Sequence, residues 1–124
     1  MNKPMYVRFE VPEDVAEKTY QVVEMARDSG KVRKGTNEVT KLVERGEAKF
    51  VVMASDVSPE EILVHVPLLC EEKGIPYSYV PAKKQLGTAA GMKKETASIA
   101  VLDAGKGKDL LSSVMDELKK LKGA

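Results

Sequence analysis

The apolar positions of this chain alternate between helical spacing and short, nearly continuous runs. Asp14 to Asp28 sets Val15, Ala16, Val22, Val23 and Ala26 along a helix, and Ser29-Gly30 supplies a stop. Lys49-Phe50-Val51-Val52-Met53-Ala54 is apolar and rich in β-branched residues, which predicts a buried strand. Ser58-Pro59-Glu60-Glu61 reads as an N-cap, a proline at the first helical position and acids in the first turn. The helix it opens is expected to run toward Lys73-Gly74, bent or split by Pro67. Tyr77-Ser78-Tyr79-Val80 predicts a second strand and Lys84 to Ala90 a short helix closed by Gly91. Ser98-Ile99-Ala100-Val101-Leu102 predicts a third strand. A final amphipathic helix is expected over Lys108 to Leu121, with Leu110, Leu111, Val114, Leu118 and Leu121 on its apolar stripe.

Helix and strand thus alternate along the chain, which predicts an α/β fold with helices on both faces of a sheet. The runs at Phe50 and Ile99 belong in the middle of that sheet. With 124 residues and no internal repeat, low-complexity tract or linker, residues 1–124 are expected to form one domain.

One stretch is harder to read as scaffold. In Lys34-Gly35-Thr36-Asn37-Glu38-Val39-Thr40-Lys41 a helix is expected to start at Thr36. At about 100° per residue, Asn37, Glu38, Lys41 and Arg45 fall within one arc of roughly 100°, opposite Val39, Leu42 and Val43. The apolar side docks on the sheet and the polar side faces solvent. Gly35 and Thr36 sit at the helix entrance, where unpaired backbone N–H groups favour an anion such as phosphate. A carboxylate accepts from the N1–H and N2–H of guanine, and an asparagine amide or lysine donates to O6 or N7. Such readout needs an exposed base edge, found in bulged, bent or single-stranded RNA. An ordinary solvated helix face is the plain alternative.

Composition narrows the class. The chain is 43% hydrophobic and 31% charged, as a globular protein is, and its net charge is only +1. No apolar run approaches the ~20 residues of a membrane span. Cys70 is the single cysteine and His65 the single histidine, so neither an internal disulfide nor a thiolate–imidazole metal site is expected. The start MNKPMYVRFEVPED has no signal-peptide core, and a soluble, cytoplasmic protein is expected.

The distribution of charge says more than its sum. Glu10 to Asp28 holds six acids against Lys18 and Arg27, whereas Lys31 to Lys49 holds Lys31, Arg33, Lys34, Lys41, Arg45 and Lys49 against three glutamates. Lys83 to Lys94 has four lysines and no acid. Two basic blocks separated by acidic segments predict one basic face if the fold joins them. In the second block, Leu86-Gly87-Thr88-Ala89-Ala90-Gly91 matches no nucleotide-binding fingerprint. Met92 followed by Lys93 and Lys94 suits an apolar contact to a base beside phosphates. His65, among Val64, Val66, Leu68 and Leu69, is expected to be partly buried and structural. Tyr77 and Tyr79 are expected in the core rather than stacked on bases, and Cys70 as a small buried hydrophobe.

These residues resemble the kink-turn-binding L7Ae family of archaeal ribosomal proteins, over nearly all of Tyr6 to Leu121. The likeness rests on Lys34-Gly35-Thr36-Asn37-Glu38-Val39-Thr40-Lys41, Val43-Glu44-Arg45-Gly46-Glu47-Ala48-Lys49 and Ala54-Ser55-Asp56-Val57-Ser58-Pro59-Glu60-Glu61. His65-Val66-Pro67-Leu68-Leu69-Cys70-Glu71-Glu72-Lys73 and the pairs Leu86-Gly87 and Ala90-Gly91 extend it.

The resemblance implies a three-layer α/β/α sandwich with a mixed central sheet, monomeric, without cofactor, metal or membrane. It implies binding to kink-turn and kink-loop RNA, where tandem sheared G·A pairs expose guanine edges in a sharply bent helix. Asn37, Glu38 and Lys41 would read the guanines. Gly35 and Thr36 would border phosphates, Lys34 and Arg45 would contact the backbone, and Met92, Lys93 and Lys94 would hold a flipped-out nucleotide. The partners implied are ribosomal RNA, box C/D and H/ACA guide RNA and ribonuclease P RNA, with the core proteins recruited onto those complexes.

Two positions depart from the family. Its flipped-base loop carries an apolar–acidic–apolar triplet where this chain has Met92-Lys93-Lys94, and Val39 replaces a frequent threonine. A protein of this fold confined to the ribosome is the closest alternative. A small enzyme using Glu38 or His65 as acid or base is the more distant one, for which no paired group is visible, so no catalysis is expected.

Overall fold

The structure is a computed structural model and describes residues 4–123. In chain order the elements are α1 (Glu13–Ser29), β1 (Lys31–Lys34), α2 (Thr36–Glu44), β2 (Phe50–Ala54), a 3-10 turn (Glu60–Ile62), α3 (His65–Lys73), β3 (Tyr77–Val80), α4 (Lys83–Ala89), β4 (Ser98–Asp103), a second 3-10 turn (Gly105–Gly107) and α5 (Lys108–Gly123).

The four strands form one mixed sheet in the order β1-β4-β2-β3. β4 runs antiparallel to both β1 and β2, while β2 and β3 are parallel. The apolar runs at Phe50 and Ile99 are therefore the two central strands, as their composition predicts. α1 packs on α4 and α5, and α2 packs on α3, so that the two groups cover the two faces. This is the expected three-layer α/β/α sandwich.

Three elements differ from the sequence expectation. β1 is an edge strand of Lys31-Val32-Arg33-Lys34 with only Val32 partly covered. Its strand character comes from pairing with β4 rather than from an apolar pattern. The predicted Ser58 cap does not form: the extended residue before the 3-10 turn is Pro59, with no side-chain cap. The chain also breaks at Leu63-Val64, ahead of Pro67. That proline lies in the first turn of α3, where its missing N–H costs nothing.

An aromatic cluster seals the outer edge beside β3. Phe9 packs on Tyr77 and Tyr79 at ring separations of 5.6 and 5.2 Å, and Tyr6 lies 6.4 Å from Tyr79. The Tyr6 hydroxyl donates to Ala54 O at 2.8 Å, Tyr77 donates to Glu71 at 2.6 Å and Tyr79 to Tyr6 O. Tyr77, Tyr79 and Cys70 are all buried, as expected.

Candidate nucleic-acid interface

The strand directions gather the connecting segments at one end of the sheet. Lys34 of β1 pairs with Ile99, Met53 of β2 with Ser98, and Ala54 with Val80 of β3. The carboxyl ends of β1, β2 and β3 therefore meet the start of β4. The Gly35 hinge, the 3-10 turn, the β3–α4 turn and the loop 90–97 all open there, a common place for ligands on a sheet of this kind.

α2 is anchored at this end by its own first residues. Gly35 has φ of 94°, a left-handed conformation that glycine adopts without strain, and this turns the chain from β1 into the helix. Gly35 N donates to Ser98 O at 3.3 Å, and Thr36 Oγ1 lies 3.0 Å from Ser98 Oγ. The N-cap residue is Gly35, which has no side chain, so no side chain caps α2. The N–H groups of its first turn are thus left to an external acceptor, and the helix dipole there favours an anion.

Beyond this anchor the helix is divided as the wheel predicts. Val39, Leu42 and Val43 are buried, whereas Asn37, Glu38, Lys41 and Arg45 lie on the solvated side. Lys34 is exposed just before the hinge. Glu38 thus presents an acceptor, and Asn37, Lys41 and Arg45 present donors, on one face.

His65 departs from expectation. It is exposed, and its Nε2 lies 2.9 Å from Thr40 Oγ1 on the neighbouring helix. Thr40 Oγ1 donates its single proton to Thr36 O at 2.7 Å, so it must accept from His65 Nε2–H. The apolar sequence neighbours of His65 are misleading, because its side chain leaves the first turn of α3 toward α2 rather than the core. The bond joins α3 to α2.

The loop before β4 forms the other side of the site. Gly91 has φ of 78°, and Met92 N donates to Gly87 O at 2.9 Å, folding the loop back on α4. Gly87 is required by contact rather than by torsion, because a Cβ there would stand 2.1 Å from Lys94 O. Met92 is half-buried against the core, while Lys93 and Lys94 are exposed. Glu95 pairs with Lys83 Nζ at 3.2 Å. Lys34, Lys41, Arg45, Lys93 and Lys94 form no ion pair with another described residue. Lys34 of the first basic block and Lys93 and Lys94 of the second thus reach the same end of the sheet, while Lys31, paired with Asp103, and Lys49, bonded to Val101 O, lie toward the other.

Two residues at this end escape the sequence pattern. Ile62, in the 3-10 turn, is 40% exposed although large and apolar. The expectation of a continuous helix hid it; an isoleucine directly after Pro-Glu-Glu was the available signal. Lys83 reads as one of four equivalent lysines, but its carboxylate partner sets it apart. No helix of the described residues is long and apolar enough to cross a membrane, and no group of three or more His, Cys, Asp or Glu among them could hold a metal.

This architecture is that of known proteins. Residues 17–111 match the model of the ribosomal protein L7Ae/L30e/S12e/Gadd45 family, and the chain belongs to that family. Among solved structures it is similar to the 15.5kD RNA binding protein of Giardia lamblia. The TM-score is 0.88 at 28% identity, over 97% of this chain and 99% of that one. Both matches place the chain among non-catalytic proteins rather than enzymes.

Proposed function

We propose that this protein binds RNA and that its target is the kink-turn or kink-loop, recognised through tandem sheared G·A pairs. The observation that carries the reading is the face of α2. An uncapped helix N-terminus stands beside Asn37, Glu38 and Lys41 on the solvated side, and at the same end of the sheet lie Lys93 and Lys94, which form no ion pair with a described residue. Glu38 accepts from the N1–H and N2–H of a guanine, and Asn37 and Lys41 donate to O6 or N7. The turn at Gly35 brings the free N–H groups of Thr36 and the residues after it to a phosphate, and Lys34 and Arg45 neutralise the flanking backbone. Met92 offers an apolar contact to a flipped-out base, with Lys93 and Lys94 next to its phosphates.

Regular A-form RNA hides the guanine edges this set would read, so affinity should depend on the bend and on the G·A pairs. On this reading the protein shapes RNA for others. It serves as a large-subunit ribosomal protein and as a core component of box C/D and H/ACA guide particles and ribonuclease P. The residues 1–124 act as one kink-turn-binding domain. Support comes from the family membership and from the resemblance to a named RNA-binding protein.

A gel shift with a kink-turn RNA and with its G·A-to-C·G variant tests the reading. Tight binding of the first and loss of the second is expected. Equal binding of the two would overturn it.

A further inference from the structure

A hollow on the outer side of α4 is not accounted for by the contacts above. Lys84, Gln85, Thr88, Lys93, Lys94 and Glu95 line it, around an open volume of about 540 Å³. Lys84 and Thr88 lie four residues apart and are therefore neighbours on the outer face of α4. The loop is brought against α4 at Gly87, whose missing side chain lets the Lys94 carbonyl approach, and Thr96 N donating to Lys83 O at 3.3 Å holds the far side.

The charge of the hollow is one-sided. Glu95 is its only carboxylate and is already engaged by Lys83. Lys84, Lys93 and Lys94 form no ion pair with a described residue, which leaves three uncompensated ammonium groups around one concavity. Gln85 adds an amide donor. No aromatic or large apolar side chain lines the hollow, so a base or nucleoside has nothing to stack on. Those features suit an anion with no demand for base identity.

We propose that this hollow is a phosphodiester subsite that extends the RNA track from the α2 face, across the loop, onto α4. The inference rests on the RNA-binding reading and adds a contact outside the bent motif. Lys84 is its distinctive residue, because it belongs to α4 and not to the loop proposed to face a flipped base. The stem leaving the bend would pass over α4 with its backbone toward Lys84, Lys93 and Lys94. Binding there would be independent of sequence and sensitive to salt.

The test is Lys84→Gln in the full chain, measured by filter binding across a salt series on two RNAs. One RNA ends directly after the G·A pairs; the other continues that stem by about one helical turn. The original protein should show a steeper log affinity against log salt on the long RNA, by about 0.7–0.9 for each added phosphate contact. Lys84→Gln should remove about one such unit on the long RNA and change nothing on the short one. Equal slopes for the variant and original on the long RNA would overturn the subsite, as would an equal loss on both RNAs. The same long RNA carrying C·G pairs separates the two hypotheses. If the original protein binds it as tightly as the G·A form, the kink-turn reading fails whatever Lys84 does.

Discussion

Thr36 Oγ1 and Ser98 Oγ lie 3.0 Å apart, and this contact joins the first residue of α2 to the first residue of β4. It has two consequences. It fixes the origin of the helix that bears Asn37 and Glu38, and it gives the buried Ser98 hydroxyl its partner. Helix α2 is thus rooted in a central strand of the sheet, and its N-terminus carries no side-chain cap.

Replacing Thr36 with Val removes the hydroxyl and nearly preserves the shape. Ser98 is fully buried, so its hydroxyl would lose its partner inside the protein. The cost should be about 1–3 kcal/mol of stability, as for other buried polar groups left unpaired. Urea unfolding should show a lower midpoint with an unchanged slope. A midpoint equal to that of the original protein would mean that this contact does not anchor α2.

Glu38→Ala and Asn37→Ala should leave folding intact, because both side chains lie on the side of α2 opposite Val39, Leu42 and Val43. Each should weaken binding to a kink-turn RNA by about 1–3 kcal/mol, roughly five-fold to more than a hundred-fold, since guanine donors or acceptors then lose their partner. Filter binding beside circular dichroism checks this. Unchanged affinity in a folded variant would displace the site from α2.

The fold is legible where a segment decides its own structure. Phe50–Ala54 and Ser98–Asp103 are central strands whose apolar runs require burial on both faces, and the stripe on Lys108–Gly123 needs no partner to be recognised. β1 is not legible, because Lys31-Val32-Arg33-Lys34 becomes a strand only by pairing with β4. The solvated arc of α2 follows from helical period alone. The contacts that position it do not: Thr36 with Ser98 and Thr40 with His65 join residues 62 and 25 positions apart. Nor does sequence separate Lys83, which is paired, from Lys93 and Lys94, which form no ion pair among described residues.

The aromatic cluster gives the protein an alkaline limit. Tyr6, Tyr77 and Tyr79 of the cluster, and Tyr20 of α1, whose hydroxyl bonds the Ala82 backbone, all have phenol pKa values raised above 10.0, chiefly by burial. At Tyr77 the hydrogen bond to Glu71 adds to the rise. The neutral phenol is therefore favoured in the folded state. Below about pH 10 both states keep the proton and stability is intact; above it the unfolded chain loses protons first, and stability falls as pH rises. The urea midpoint should hold to about pH 9 and drop by about pH 11, with phenolate absorbance appearing together with unfolding. A midpoint constant across that range would contradict burial of these hydroxyls.

The last prediction concerns the loop that carries Met92, Lys93 and Lys94. Lys93 and Lys94 are exposed and form no ion pair with a described residue, and Gly87 lets the loop lie against α4. With Met92 half-buried, the apolar surface offered to a flipped base is small. Affinity at this loop should therefore come from charge more than from apolar contact. The double change Lys93→Glu, Lys94→Val removes two cations and adds one acid. On a kink-turn RNA it should flatten the salt dependence of log affinity by about one to two units, as one or two lost phosphate contacts would. Discrimination against a C·G replacement of the G·A pairs should persist, because Asn37 and Glu38 are untouched. Discrimination at the flipped base should sharpen, because the introduced valine enlarges the apolar platform that Met92 otherwise supplies alone. Identical salt slopes for the two forms would mean that both lysines point into solvent and that the loop holds its nucleotide without them.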